Sequence, residues 1–196
     1  MKATAGVCRQ PDIHTFLERR LMWINVLLAL AGIAALVLII AWFKSDDFQM
    51  SRSMAMKAPA SKAFEQVNDL RQMNAWNPFL KFDPQANVTY EGATSGVGAI
   101  CHWDGNKNVG AGKQTIIESL PDEKVRMKLE FYRPFAGVND VEFTFAPRGD
   151  TTVVTWSMVG KLNFMMRLIG LCVSMDTMCG KSFTQGLTEV KTMIEA

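Results

Sequence analysis

The chain has 196 residues, with 21 Lys and Arg against 19 Asp and Glu, a net charge of +2. This length accommodates one ordinary domain with an appendage and excludes two large ones, because domains mostly run to about 100–200 residues. Balanced charge supplies no basic field for a nucleic acid, and 48% apolar with 20% charged residues suits a folded chain and not a disordered one.

After an N-terminal tail, residues 1–20, every residue from Leu21 to Phe43 is uncharged (LMWINVLLALAGIAALVLIIAWF). At about 1.5 Å of rise per residue this run reaches roughly 34 Å, enough to cross a hydrocarbon core of about 30 Å. Asn25 is its single strongly polar side chain, while Trp23, Trp42 and Phe43 lie near its ends, where aromatic rings favour the membrane interface. A buried helix of a soluble protein would keep a polar face, and this run has none. A cleaved signal peptide has a shorter apolar region and an A-x-A site, which AWFKSDD lacks. The expectation is one retained transmembrane helix, 21–43, and a short linker, 44–47.

Arg19 and Arg20 abut the start of the span, with Lys2 and Arg9 behind them, whereas Lys44 is followed at once by Asp46 and Asp47. The flanks favour a single-pass topology with the N-terminus cytoplasmic and the C-terminal domain outside. Arg52 and Lys57 weaken that bias over a wider window. Cys8, Cys101, Cys172 and Cys179 form no C-x-x-C, which leaves metal and redox readings without their spacing. Cys8 lies across the span from the others. Cys172 and Cys179, read as sharing one helix, are too far apart to pair, so only Cys101 has a partner within reach; buried free thiols are the expected state.

From Phe48 the chain carries 16 basic and 15 acidic residues over 149 positions and reads as a domain of its own, 48–196. Alternation over 48–58 places Phe48, Met50, Met54, Met56 and Ala58 on one face, with Arg52 intruding. Pro59 stops this strand, and Ala63, Phe64, Val67 and Leu70 follow at helical spacing until 74–78, giving two short helices. Alternating runs at 88–90, 98–103, 114–119, 125–132, 138–145 and 152–159 predict six more strands. Between them Asp104-Gly105-Asn106, Leu120-Pro121-Asp122, Arg133-Pro134 and Arg148-Gly149-Asp150 carry turn chemistry. Hairpins in series imply an antiparallel sheet. Over the last 33 residues the period changes. Met165, Leu168, Cys172, Met175, Cys179, Phe183, Leu187, Val190 and Ile194 predict one long amphipathic helix. Gly170, Gly180 and Gly186 each cost roughly 1 kcal/mol against Ala in a helix, so a close approach to the sheet, or a bend, is expected there.

The order of elements resembles the helix-grip fold of the START-like (SRPBCC) superfamily, which includes the birch pollen allergen, and within it the polyketide cyclase and dehydrase-like branch. The residues that carry the resemblance are Arg52-Ser53 with Ala58-Pro59, Trp76-Asn77-Pro78-Phe79 before Asp83-Pro84, and Gly96-Val97-Gly98-Ala99 leading to Trp103 and Gly105-Asn106. With them come Gly110 and Gly112, Val141-Glu142-Phe143-Thr144-Phe145, Thr155-Trp156, and Asp176 with Gly180, Phe183 and Gly186-Leu187. These positions are mostly structural. The resemblance implies an α+β fold, a seven-stranded curved antiparallel sheet around a long C-terminal helix, with a cavity that takes lipids, isoprenoids, hormones or polyketides in different members, only some of which catalyse. A single N-terminal span ahead of such a domain is also similar to arrangements in this branch.

A strongly curved sheet closed by one helix leaves space between them. Alternation turns Ala99, Cys101, Trp103, Gln114, Ile116, Val125, Met127, Leu129, Phe131, Val141, Phe143, Phe145, Val154, Trp156 and Met158 inward, and Arg126, Lys128, Glu130, Glu142, Thr155 and Ser157 outward. Thirteen methionines suit an adaptable lining, or a core packed solid. The expected cavity wall is Trp103, Gln114, Met127, Leu129, Phe131, Phe143, Phe145, Trp156 and Met158 from the sheet with Leu168, Cys172, Met175, Asp176 and Cys179 from the helix. An unpaired carboxylate at Asp176 would be costly, so it either pairs, with Arg52 the natural partner, or caps, or anchors a ligand headgroup, or acts as a general acid in a cyclase-type enzyme.

Chemistry has little to work with. His14 precedes the span and His102 faces away from Cys101 and Trp103, so no Ser-His-Asp or Cys-His constellation assembles. His102-x-Asp104 supplies two ligands, too few for a metal site, and Gly96-x-Gly98 and Gly110-x-Gly112 lack the helix start that phosphate binding requires. No cofactor and no metal is expected. The expected function is membrane-anchored binding of a hydrophobic small molecule or lipid, with the bilayer as the other partner and no nucleic acid. A cyclase, aromatase or dehydratase acting on such a ligand, and a ligand-free interaction module, stay open as alternatives.

Overall fold

The computed structural model describes residues 13–196. Lys2, Cys8 and Arg9 lie outside the described residues, as does the side chain of His14. The chain divides into two compact units, one ending at Phe43 and one spanning Lys44–Ala196. In the first, helix α1 covers Ile13–Phe43, and its segment Glu18–Phe43 is long and apolar enough to cross a membrane.

The second unit is α+β. Strand β1 (Asp47–Met56) is followed by α2 (Ala60–Asn68), α3 (Leu70–Trp76) and a 3₁₀ turn at Leu80–Phe82. Six strands come next: β2 (Asn87–Gly92), β3 (Ala99–Asp104), β4 (Ala111–Leu120), β5 (Lys124–Arg133), β6 (Gly137–Arg148) and β7 (Thr151–Lys161). They form a seven-stranded sheet in the order β1-β7-β6-β5-β4-β3-β2, every neighbouring pair antiparallel. Short hairpins join β2 through β7 in succession, while α2 and α3 carry the chain from one edge strand, β1, to the other, β2. The inward set read from alternation is buried except for Leu129 and Phe131, which are half-buried. Period-two patterning works here because one face of the sheet meets water.

The core joins sheet to helices through aromatic rings. Trp76 of α3 is fully buried and donates its indole N–H to the Gln66 carbonyl at 3.1 Å. Its ring stands edge-on to Phe143 and Trp156, and Trp156 stacks between Phe143, at 5.0 Å, and Phe183, at 4.0 Å. That stack ties β6 and β7 to the last helix, α5 (Met175–Glu195). Offset and edge-on aromatic pairs of this kind add about 0.5–1.5 kcal/mol each beyond their buried area.

The single final helix expected from the sequence is two helices. A short α4 (Phe164–Ile169) ends at Gly170, and α5 starts afresh behind Ser174, whose hydroxyl accepts from the Thr177 N–H at 3.2 Å. Cys172 therefore sits in an exposed connection and does not share a helix with Cys179. Gly186 supplies the close approach: a Cβ there would lie 2.8 Å from the Trp156 ring and 3.3 Å from the Trp76 ring. Gly96, Gly98 and Gly110 occupy positive φ, as turn glycines do, and the β4–β5 register slips between Ala111 and Gly112.

Candidate ligand-binding cavity

Between the concave face of the sheet and α5 lies a cavity of about 370 Å³, within the usual size of small-molecule sites. β3 contributes Cys101 and Trp103, β4 Gln114, β5 Leu129 and Phe131, β6 Asn139 and Val141, and β7 Trp156 and Met158. From α5 come Met175, Met178, Cys179, Ser182 and Phe183. Met73 and Asn74 of α3, Asn77, Phe79, Leu80, Phe82, and Asn108 with Val109 complete the wall. Most of these groups are apolar or thioether.

Eight of the fourteen residues expected at the cavity line it: Trp103, Gln114, Leu129, Phe131, Trp156, Met158, Met175 and Cys179. Met127, Phe143 and Phe145 point inward but lie beneath the wall, packed in the core. Leu168, Cys172 and Asp176 do not line it. The break between α4 and α5 accounts for Leu168 and Cys172, because residues before Ser174 leave the axis along which the apolar stripe was projected. Asp176 turns outward and holds Arg52 at 2.6 Å, both side chains substantially exposed, so the pairing alternative is the one the structure contains. Helical residues Met73, Asn74, Met178 and Ser182 were not among those expected. Met73 was legible, since it falls three residues from both Leu70 and Trp76 on the buried side of α3.

The polar side chains in the wall are Asn74, Asn77, Asn108, Gln114, Asn139 and Ser182. The Asn74 amide donates to the Tyr90 hydroxyl at 3.0 Å and to the Cys101 sulfur at 3.1 Å. Burial pushes the Cys101 thiol up, partly offset by that amide, and burial alone pushes up Cys179. Both stay protonated at neutral pH, and the three described cysteines are free. Gln114 is buried and donates only to the thioethers of Met127 (2.6 Å) and Met73 (3.5 Å). The Trp103 ring lies across Gly112, where a Cβ would stand 2.6 Å from it. His102 faces the other side of the sheet, 3.3 Å from the Glu91 carboxylate. Among the described residues no group of three or more His, Cys, Asp or Glu side chains is placed to hold a metal ion.

Residues 47–195 match the protein family described as polyketide cyclase / dehydrase and lipid transport. The chain belongs to that family. Solved structures share the fold of this chain at low identity. A protein of Chromobacterium violaceum aligns with a TM-score of 0.55 at 15% identity, over 76% of this chain and 98% of its own. Ginseng major latex-like protein 151 of Panax ginseng aligns at 0.54 and 13%, over 77% and 99%. The Aha1 dimer from Colwellia psychrerythraea aligns at 0.54 and 12%, over 76% and 96%. At such identities these likenesses speak for the fold alone. No curated protein matches the chain.

Proposed function

We propose that this polyketide cyclase / dehydrase family member binds a hydrophobic small molecule or lipid and is held at a membrane by a single span, residues 21–43, behind a tail, 1–20, and a linker, 44–47. The observation that carries the reading is the apolar cavity of about 370 Å³ between the sheet and α5. The site is residues 103, 114, 129, 131, 156, 158, 175 and 179 with their helical neighbours. The flanking arginines favour a cytoplasmic N-terminus and a domain, 48–196, on the far side. Family membership supports a hydrophobic ligand and leaves its identity open.

The test is mass spectrometry of small molecules that stay with the full chain through gentle purification, followed by titration of the emptied protein with the molecule recovered. A bound ligand at about 100 times its Kd stabilises by about 2.7 kcal/mol, a rise in Tm of roughly 5–10 °C for a domain of this size. No co-purifying molecule and no thermal response across a broad lipid panel would remove the reading.

A further inference from the structure

We propose that the cavity selects an uncharged lipid-like ligand carrying a hydroxyl or carbonyl group, with Gln114 as its polar anchor, and discriminates against ionised acids. This deepens the ligand-binding reading above and rests on it. Twenty-two residues line the cavity, and none is Asp, Glu, Lys, Arg or His. A carboxylate or phosphate entering it would lose its water and find no counter-charge, a cost that only a paired or neutral group escapes. The positive end of α5, whose first residue Met175 reaches the wall, is already answered by the Ser174 cap and by Asp176 in its first turn.

Neutral polar capacity, by contrast, is present and underused. Gln114 is 7% exposed, and its amide donates only to sulfur, a weak acceptor. Its carbonyl oxygen accepts no hydrogen bond among the described residues, although the side chain faces the cavity. The indole N–H of Trp156 also has no hydrogen-bond partner, but the nitrogen is enclosed by protein and leaves Gln114 as the group open to a ligand. Buried amides are ordinarily satisfied, and an underused amide in an apolar wall marks where a ligand's polar atom belongs. A ligand hydroxyl donates to the Gln114 carbonyl, and a ligand carbonyl accepts from its amide in place of sulfur.

The experiment uses the full chain in phosphatidylcholine nanodiscs, with empty nanodiscs subtracted, and the uncharged dye N-phenyl-1-naphthylamine as reporter. Displacement by 1-decanol is compared with displacement by decanoate at pH 8. Decanol is expected to act at a concentration at least tenfold lower, and the gap to close by about tenfold per pH unit as the acid approaches its own pKa. In Gln114→Leu the affinity for decanol, measured relative to that for the dye, is expected to fall about three- to tenfold, the worth of one hydrogen bond. Gln114→Met, which preserves volume, replaces it if the Leu variant fails to fold. Dye binding with decanoate at pH 8 as effective as decanol overturns the charge selection and leaves ligand binding standing. Unchanged decanol affinity in both variants overturns the role of Gln114. No dye signal above empty nanodiscs overturns this proposal together with the reading beneath it.

Discussion

Cys101 and Cys179 face the cavity from opposite sides, β3 and α5, and burial raises both thiols above their ordinary value. A raised thiol pKa means that folding keeps the proton on, so this contribution to stability is whole below the unfolded thiol value and is lost as pH climbs through the folded one. Thiolate being the reactive form, iodoacetamide at pH 7.5 is expected to label exposed Cys172 at least tenfold faster than Cys101 or Cys179, read peptide by peptide. Equal rates would mean the two wall thiols are open to solvent. Asp176 makes a surface contact with Arg52, and exposed pairs are worth little. Asp176→Asn is expected to cost less than about 1 kcal/mol in denaturant unfolding and to leave dye affinity unchanged. A loss of dye binding would instead return Asp176 to the ligand. At this scale alternation alone made the sheet side of the cavity legible, because inward and outward residues are decided locally. Asn74, Asn77 and Phe79 reach the wall only through the path of α3 and the turn after it, which no local pattern encodes.

Among the elements, all seven strands were legible, though 88–90 covers only half of β2 and 114–119 misses the start of β4, while the break between α4 and α5 was not legible. Leu168, Cys172 and Met175 keep a spacing of three or four through the connection, so the apolar rhythm runs on where the backbone stops. Its punctuation was there in Gly170 and in Ser174 ahead of Thr177, a cap signal that a continuous stripe outweighed. Helix α5 is seated on the sheet at Gly186, against the rings of Trp156 and Trp76 and the edge of Pro78. Gly186→Ala is expected to destabilise the domain by about 1–3 kcal/mol, despite the better helix propensity of Ala, since buried rings cannot yield without disturbing the aromatic stack. Chemical denaturation against wild type measures it. A neutral or stabilising result would show that α5 has slack. At Gly180 the obstacle is the end of the Arg52 side chain, which can swing to solvent, so Gly180→Ala is expected to be milder.

For the molecule as a whole, charge is distributed in a way that averages conceal. The net charge of +2 covers an uncharged run of 23 residues and a domain with 16 basic and 15 acidic groups. Such a chain is expected to stay in the membrane pellet through alkaline carbonate washing, and a chain lacking residues 1–46 to leave it. Release of the full chain would mean that the apolar run is removed or does not span. Alkaline phosphatase fused after residue 196 is expected to be active on a far-side domain and inactive on a cytoplasmic one, which tests the bias set by Arg19 and Arg20.

The bare backbone at Gly112 has a further effect on what the chamber can admit. A methyl group at 112 would collide with the backbone carbonyl of Glu130 as well as with the indole of Trp103, so it would displace the β5 backbone together with a ring of the wall. The room beside Trp103 thus depends on one missing carbon in strand β4, at a point where the same carbon would also press on the neighbouring strand.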